Sequence, residues 1–121
     1  MIVNKKVLEI NEKFKYKINI SYPITKFNNV NKDINVMLNS IIKNFVDSSK
    51  RNIMLNLYYT LYITYEEYKF NNIISYIFKV SEFTGGAHPN NYLKSIRFDY
   101  DGNIITIDTI IFNDKNILIK L

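Results

Sequence analysis

The sequence predicts an α+β domain. A mostly antiparallel sheet of about five to six strands carries one amphipathic helix, about 30–48, packed on one face, in the order β-β-α-β-β-β-β. Three observations predict it. Period-two alternation of apolar and polar residues runs through most of the chain, as half-buried strands require, because successive side chains on a strand point to opposite faces. One stretch alone, 30–48, switches to the three-and-four spacing of a helix. Short turn signals, without repeated crossover helices, separate the later strands, and short connections join antiparallel neighbours.

Size and composition fit this class. The 121 residues suit a single domain spanning 1–121, large enough for a core without metal or disulfide support. A hydrophobic share of 47% against 22% charged excludes a disordered chain. Ten Tyr and eight Phe with no Trp point to a sheet whose second face is half wet, since a tyrosine ring packs while its hydroxyl stays solvated. The net charge of +5 is uneven: residues 1–51 carry ten Lys/Arg against four Asp/Glu, and 52–121 carry six against seven. Such a basic half suits either a solvated lysine face or an anionic partner. The absence of cysteine excludes disulfides, thiolate metal sites and cysteine nucleophiles, and leaves the redox compartment open. No apolar run reaches the ~20 residues that span a bilayer. Met1 to Ile10 lacks the features of a signal peptide, so an exported protein would carry its targeting segment ahead of Met1.

Taken in order, Ile2 to Glu9 reads as a short strand. Lys13 to Tyr22 alternates strictly, with Phe14, Tyr16, Ile18, Ile20 and Tyr22 against Lys13, Lys15, Lys17, Asn19 and Ser21. The three lysines form a basic row, which reads as a functional patch or as the guard of an edge strand. Pro23 is expected to end that strand. Val30, Ile34, Met37, Leu38, Ile41, Ile42, Phe45 and Val46 then make the apolar stripe of the helix, with Asn29 or Asn31 as N-cap and Ser48 to Arg51 closing it. Asn52 to Phe70 reads as one long strand, with Leu55, Leu57, Tyr59, Leu61, Ile63 and Tyr65 on one face and Tyr58, Tyr62 and threonines on the other. Asn71-Asn72 suits a hairpin turn into a strand bearing Ile74, Tyr76, Phe78 and Val80 on one side. After a glycine-containing loop, Tyr92, Ile96, Phe98 and Tyr100 alternate again. Tyr100-Asp101-Gly102-Asn103 carries a two-residue hairpin signal leading to Ile104 to Thr109. The tail, Ile110 to Leu121, is apolar without a clear period.

One stretch concentrates the residues that specify backbone geometry. Phe83 to Asn91 holds Gly85 and Gly86, two of three glycines, Pro89, one of two prolines, and His88, the single histidine. The chemistry there is sparse. His88 has no cysteine or second histidine to share a metal, so no metal and no cofactor is expected. Glu66 and Glu67 are adjacent on a strand and point apart. Gly85-Gly86 lacks the lysine of a phosphate loop, and no nucleic-acid motif is present. The residues leave three readings: a recognition loop, a structural connection with His88 in a fixed hydrogen bond, or a catalytic pairing of His88 with Asp99 or Asp108.

Read with its flanks, this region resembles a known family. Val80-Ser81-Glu82-Phe83-Thr84-Gly85-Gly86-Ala87-His88-Pro89-Asn90, then Phe98-Asp99-x-Asp101-Gly102, then Ile105-Thr106-Ile107-Asp108-x-Ile110-Ile111-Phe112, is similar to a bacterial extracytoplasmic domain. That domain occurs in RsiV-type anti-sigma factors, which sense lysozyme, and ahead of the catalytic module of PdaC-type peptidoglycan deacetylases. The resemblance implies a non-catalytic cell-envelope domain, tethered in a longer parent outside the cytoplasmic membrane. Its implied partner is a lysozyme-like protein or a cell-wall polymer, with no nucleic acid and no membrane insertion of this segment. The expected contact residues are Gly85, Gly86, Ala87, His88, Pro89 and Asn90, with Tyr58 and Tyr62 beside them.

Overall fold

The computed structural model describes residues 3–50, 57–85 and 89–105. Strands β1 (Val3–Asn11) and β2 (Tyr16–Ile24) precede helix α1 (Asn28–Ser49), and β3 (Tyr59–Phe70), β4 (Ile73–Phe83), β5 (Asn90–Asp99) and β6 (Ile104–Ile105) follow. This is the expected element order. The strands form one sheet in which spatial order equals sequence order, β1 to β6. Every neighbouring pair is antiparallel except β2 and β3. Those two run parallel because α1 lies between them in sequence and carries the chain back to the end where β2 began. The sheet is therefore mixed at one joint and antiparallel elsewhere.

The helix buries Val30, Ile34, Leu38, Ile41, Phe45 and Ser49 at steps of three or four. They meet Tyr16, Ile18 and Ile20 of β2, Leu61 and Ile63 of β3, Tyr76, Phe78 and Val80 of β4, and Phe98 of β5 in one core cluster. Each fully buried aliphatic side chain contributes about 1.5–3 kcal/mol through the apolar area withdrawn from water. Polar edges of this core are tied off. The Tyr16 hydroxyl donates to Glu9 Oε2 at 2.6 Å, and Tyr76 donates to Glu67 Oε1 at 3.3 Å. Both phenols are pushed up from their ordinary range, Tyr16 chiefly by the bond to Glu9 and Tyr76 chiefly by burial.

Four local expectations are corrected. Residues 12–15 form the β1–β2 turn with Lys15 at φ 57°, so the strand begins at Tyr16 and not at Lys13. Pro23 lies inside β2, opposite Asn4. The β2–β3 ladder stops at Ile20, so that side of Pro23 asks for no amide hydrogen. Neither Asn29 nor Asn31 caps the helix: Phe27 occupies the N-cap without a side-chain bond. Asn31 instead reaches back to Thr25, accepting from its backbone N at 2.8 Å and its Oγ1 at 3.0 Å and donating to its carbonyl at 2.9 Å. Asn29 donates to the Gly102 carbonyl at 2.6 Å.

The fourth correction is the Asp-Gly turn. Asp99 N donates to Asn103 O and Gly102 N to Asp99 O, leaving residues 100–102 as a three-residue loop with Gly102 at φ +86°. A type I turn followed by a left-handed glycine fits better than a two-residue turn. The long strand predicted from Asn52 begins at Tyr59, with Leu57 and Tyr58 ahead of it. Asn52–Asn56 lie outside the described residues, as do most of the predicted Ile104–Thr109 strand and the whole of the tail. The Asn71-Asn72 turn stands as predicted, with Asn71 at φ 54°.

Candidate functional site on the outer face of the sheet

Strand register decides what lies together. Tyr16 pairs with Tyr59, Thr60 with Phe83, and Glu82 with Asn90. The β1–β2 turn, the start of β3, the end of β4 and the start of β5 therefore share one end of the sheet. Gly85 and Pro89 flank the Gly-rich loop at that end. Gly85 sits at φ +91°, where only glycine is unstrained, and a Cβ there would stand 3.2 Å from the Tyr59 hydroxyl. Gly86, Ala87 and His88 lie outside the described residues.

The face away from α1 carries the second half of the site. Asn19, Tyr62, Ser81 and Asn91 form one row across β2 to β5, about 14 Å wide at the usual strand spacing. Thr64, Lys79 and Leu93 make the next row. Between the rows is a groove of about 380 Å³ lined by Tyr62, Thr64, Lys79, Val80, Ser81, Asn91, Tyr92 and Leu93. Tyr62 is 46% exposed and Leu93 64% exposed. Asn91 links this groove to the loop end, because it follows the predicted contact residue Asn90.

Tyr58 stands at the same end. Its ring lies under two ammonium groups, with Lys15 Nζ at 5.3 Å and Lys17 Nζ at 4.8 Å from the centroid. Its hydroxyl donates to the Glu12 carboxylate, which holds the phenol above its ordinary pKa. The predicted lysine row thus resolves differently from expectation. Lys13 and Lys15 belong to a turn, Lys17 alone lies on β2, and the strand is interior, so they guard no edge. Two of the three cations rest on Tyr58 instead.

At the same end of the sheet, on the helix side, the structure adds a pair that sequence reading missed. Glu82 and Tyr92 line a second cavity of about 430 Å³ between α1 and β5, with Met37, Ile41, Asn44 and Lys94. Burial raises the Glu82 carboxyl, partly offset by the Tyr92 hydroxyl, and burial likewise raises Tyr92. Glu82 continues the inward series Ile74, Tyr76, Phe78, Val80; a carboxylate in a core register was the available signal.

Of the residues weighed as a catalytic pair with His88, only Asp99 lies among the described residues. Asp99 closes β5 at the end opposite Pro89 and Asn90, nine residues or roughly 30 Å along the strand. Its carboxylate binds the turn, accepting from Asp101 N, Asn103 N and Asn103 Nδ2 at 2.9 Å each. Asp108 lies outside the described residues. Glu66 and Glu67 diverge as expected: Glu66 pairs with Lys79 at 2.9 Å on the outer face, and Glu67 with Lys69 at 3.5 Å on the inner one.

Two solved structures are similar to this chain. Both are DUF3298 family proteins. One, from Pseudomonas aeruginosa PAO1, is 12% identical with a TM-score of 0.49, covering 90% of this chain and 57% of that one. The other, from Bacteroides fragilis NCTC 9343, is 15% identical with a TM-score of 0.49, covering 90% of this chain and 60% of that one. The chain thus spans about three fifths of the length of either, and no residue role passes across at such identities. No family model matches the chain. No curated protein matches it. Among the described residues, no helix is long and apolar enough to cross a membrane.

Proposed function

We propose that this chain is a non-catalytic, extracytoplasmic ligand-binding domain of the cell envelope, taking a lysozyme-like protein or a cell-wall polymer at the loop end of its sheet. The observation that carries this reading is a convergence: the flanks of the Gly85–Asn90 segment, Tyr58 and the Tyr62 groove all share that end, although 25 or more residues of chain separate Tyr58 from the loop. Compartment and ligand class come from the motif resemblance. Neighbouring carboxylates are already engaged, Glu12 by Tyr58, Glu66 by Lys79 and Glu82 by Tyr92, which favours recognition over proton transfer. The same motif precedes deacetylase modules, so the alternative parent is a wall-modifying enzyme in which this domain is an accessory.

Calorimetric titration against lysozyme, peptidoglycan fragments and teichoic acid tests the reading. Saturable binding of at least one is expected. Flat titrations with all three overturn it. Replacing His88 with Ala separates recognition from chemistry: on this reading it alters affinity and removes no turnover.

A further inference from the structure

Resting on that reading, we infer that the outer-face groove takes a neutral, N-acetylated glycan laid along β3, with Tyr62 as its stacking ring. The groove of about 380 Å³ lies within the ~300–1,000 Å³ range of small-ligand sites. Its exposed apolar side chains are the Tyr62 ring and Leu93, and its rim is neutral and polar, made by Thr64, Ser81 and Asn91. A pyranose has the matching chemistry. One ring face is a patch of C–H groups that stacks on an aromatic ring, and its edge is a circle of hydroxyls. Hydroxyl and amide side chains each donate and accept, so they pair with such an edge whichever way its protons point.

Charge narrows the class. The one cation in the lining, Lys79, is held by Glu66 at 2.9 Å, so the groove presents no unpaired charge to an anionic polymer. Leu93, 64% exposed, stands where an acetamido methyl gains an apolar contact, and the Asn91 amide stands where the acetamido carbonyl and N–H gain partners. Linear extent follows from β3 itself. Tyr58, Thr60, Tyr62 and Thr64 share the outer side, and Tyr58 lies four residues before Tyr62, roughly 13 Å for extended chain. An oligosaccharide stacked on Tyr62 and extended along this track ends at Tyr58, whose ring is already covered by Lys15 and Lys17.

The test is a heteronuclear NMR titration of the whole chain with N-acetylated chito-oligosaccharide, with cello-oligosaccharide as the unacetylated control and lysozyme titrated separately. Saturable amide shifts are expected at Thr60, Tyr62, Ser81, Asn91 and Leu93, with α1 unmoved and the control weaker. Tyr62→Ala should bind about tenfold more weakly, the loss of one stacked ring, whereas Tyr62→Phe keeps the ring and the affinity. Asn91→Ala should weaken the acetylated ligand and leave the control unchanged. No saturable shift with chito-oligosaccharide, shifts confined to other surfaces, equal binding of the control, or unchanged affinity in Tyr62→Ala would overturn the inference. If the glycan fails while lysozyme binds, the inference falls and the envelope-binding reading stands.

Discussion

Gly85 and Gly102 have nearly the same backbone and opposite surroundings. Both sit in the left-handed region, at φ +91° and +86°. Gly102 is buried against the Phe27 ring, where a Cβ would come within 2.5 Å of an aromatic carbon. Its carbonyl is held by Asn29, and Phe27 in turn stacks edge-on against Phe98 at 5.9 Å. Gly85 meets only the hydroxyl end of Tyr59, at 3.2 Å. One end of the sheet is therefore locked to the helix start by packing, and at the other Gly85 meets only the edge of one ring, near a groove. A left-handed glycine by itself marks geometry; its neighbours say whether that geometry holds the fold or presents a surface.

Gly102→Ala gives the sharpest contrast, because backbone strain and a clash with a packed ring act together. A loss of about 3 kcal/mol is expected from urea unfolding. A loss under about 1 kcal/mol would mean that this end is not locked. Asn31→Ala removes three bonds to Thr25, which is nearly buried, and should cost about 2 kcal/mol with the groove residues' NMR shifts unchanged. Gly85→Ala carries the strain alone, about 1–1.5 kcal/mol. A cost equal to that of Gly102→Ala would break the contrast between the two ends.

The smallest effect is electrostatic and again belongs to the locked end. Hydrogen bonds from the Asn103 side chain and from the turn's amides lower the Asp99 pKa. A carboxylate favoured in the folded state adds stability that is complete above the unfolded pKa of about 3.9 and is lost as pH falls through the folded value. Unfolding scans below pH about 4 should show Asp99→Asn less acid-sensitive than the parent. Equal acid sensitivity would remove Asp99 from the account of this turn.

Much of the fold was legible because its periods are local. The stripe Val30, Ile34, Leu38, Ile41, Phe45 marked α1 within two residues at its start and one at its end. The alternation Leu61, Ile63 and then Tyr76, Phe78, Val80 marked the inner face. Pro23 misled because whether a proline breaks a strand depends on which neighbour its nitrogen faces, and that is a property of the sheet. Asn31 misled because the Thr25 amide takes the side-chain oxygen that would have capped the helix, and Asn29 because its side chain donates to the Gly102 carbonyl on another hairpin. The lysine row misled because a tight turn and a strand both permit Lys-x-Lys spacing. For the candidate site, Tyr62 was placed on the outer face by parity, whereas its neighbours Ser81, Asn91 and Leu93 required strand register.

By itself, then, the sequence determined the element types, the two faces of each strand and the place where glycine and proline concentrate. These depend on side chains two to four residues apart, within reach of local sterics and burial. Only the tertiary structure decided that β2 and β3 run parallel, that Tyr58 lies under Lys15 and Lys17, and that Gly85 and Asn90 stand at the end of the sheet nearer the Tyr62 groove. Each of these joins residues tens of positions apart. Their pairing follows from how the helix and the strands bury apolar surface together, and no short-range pattern encodes it.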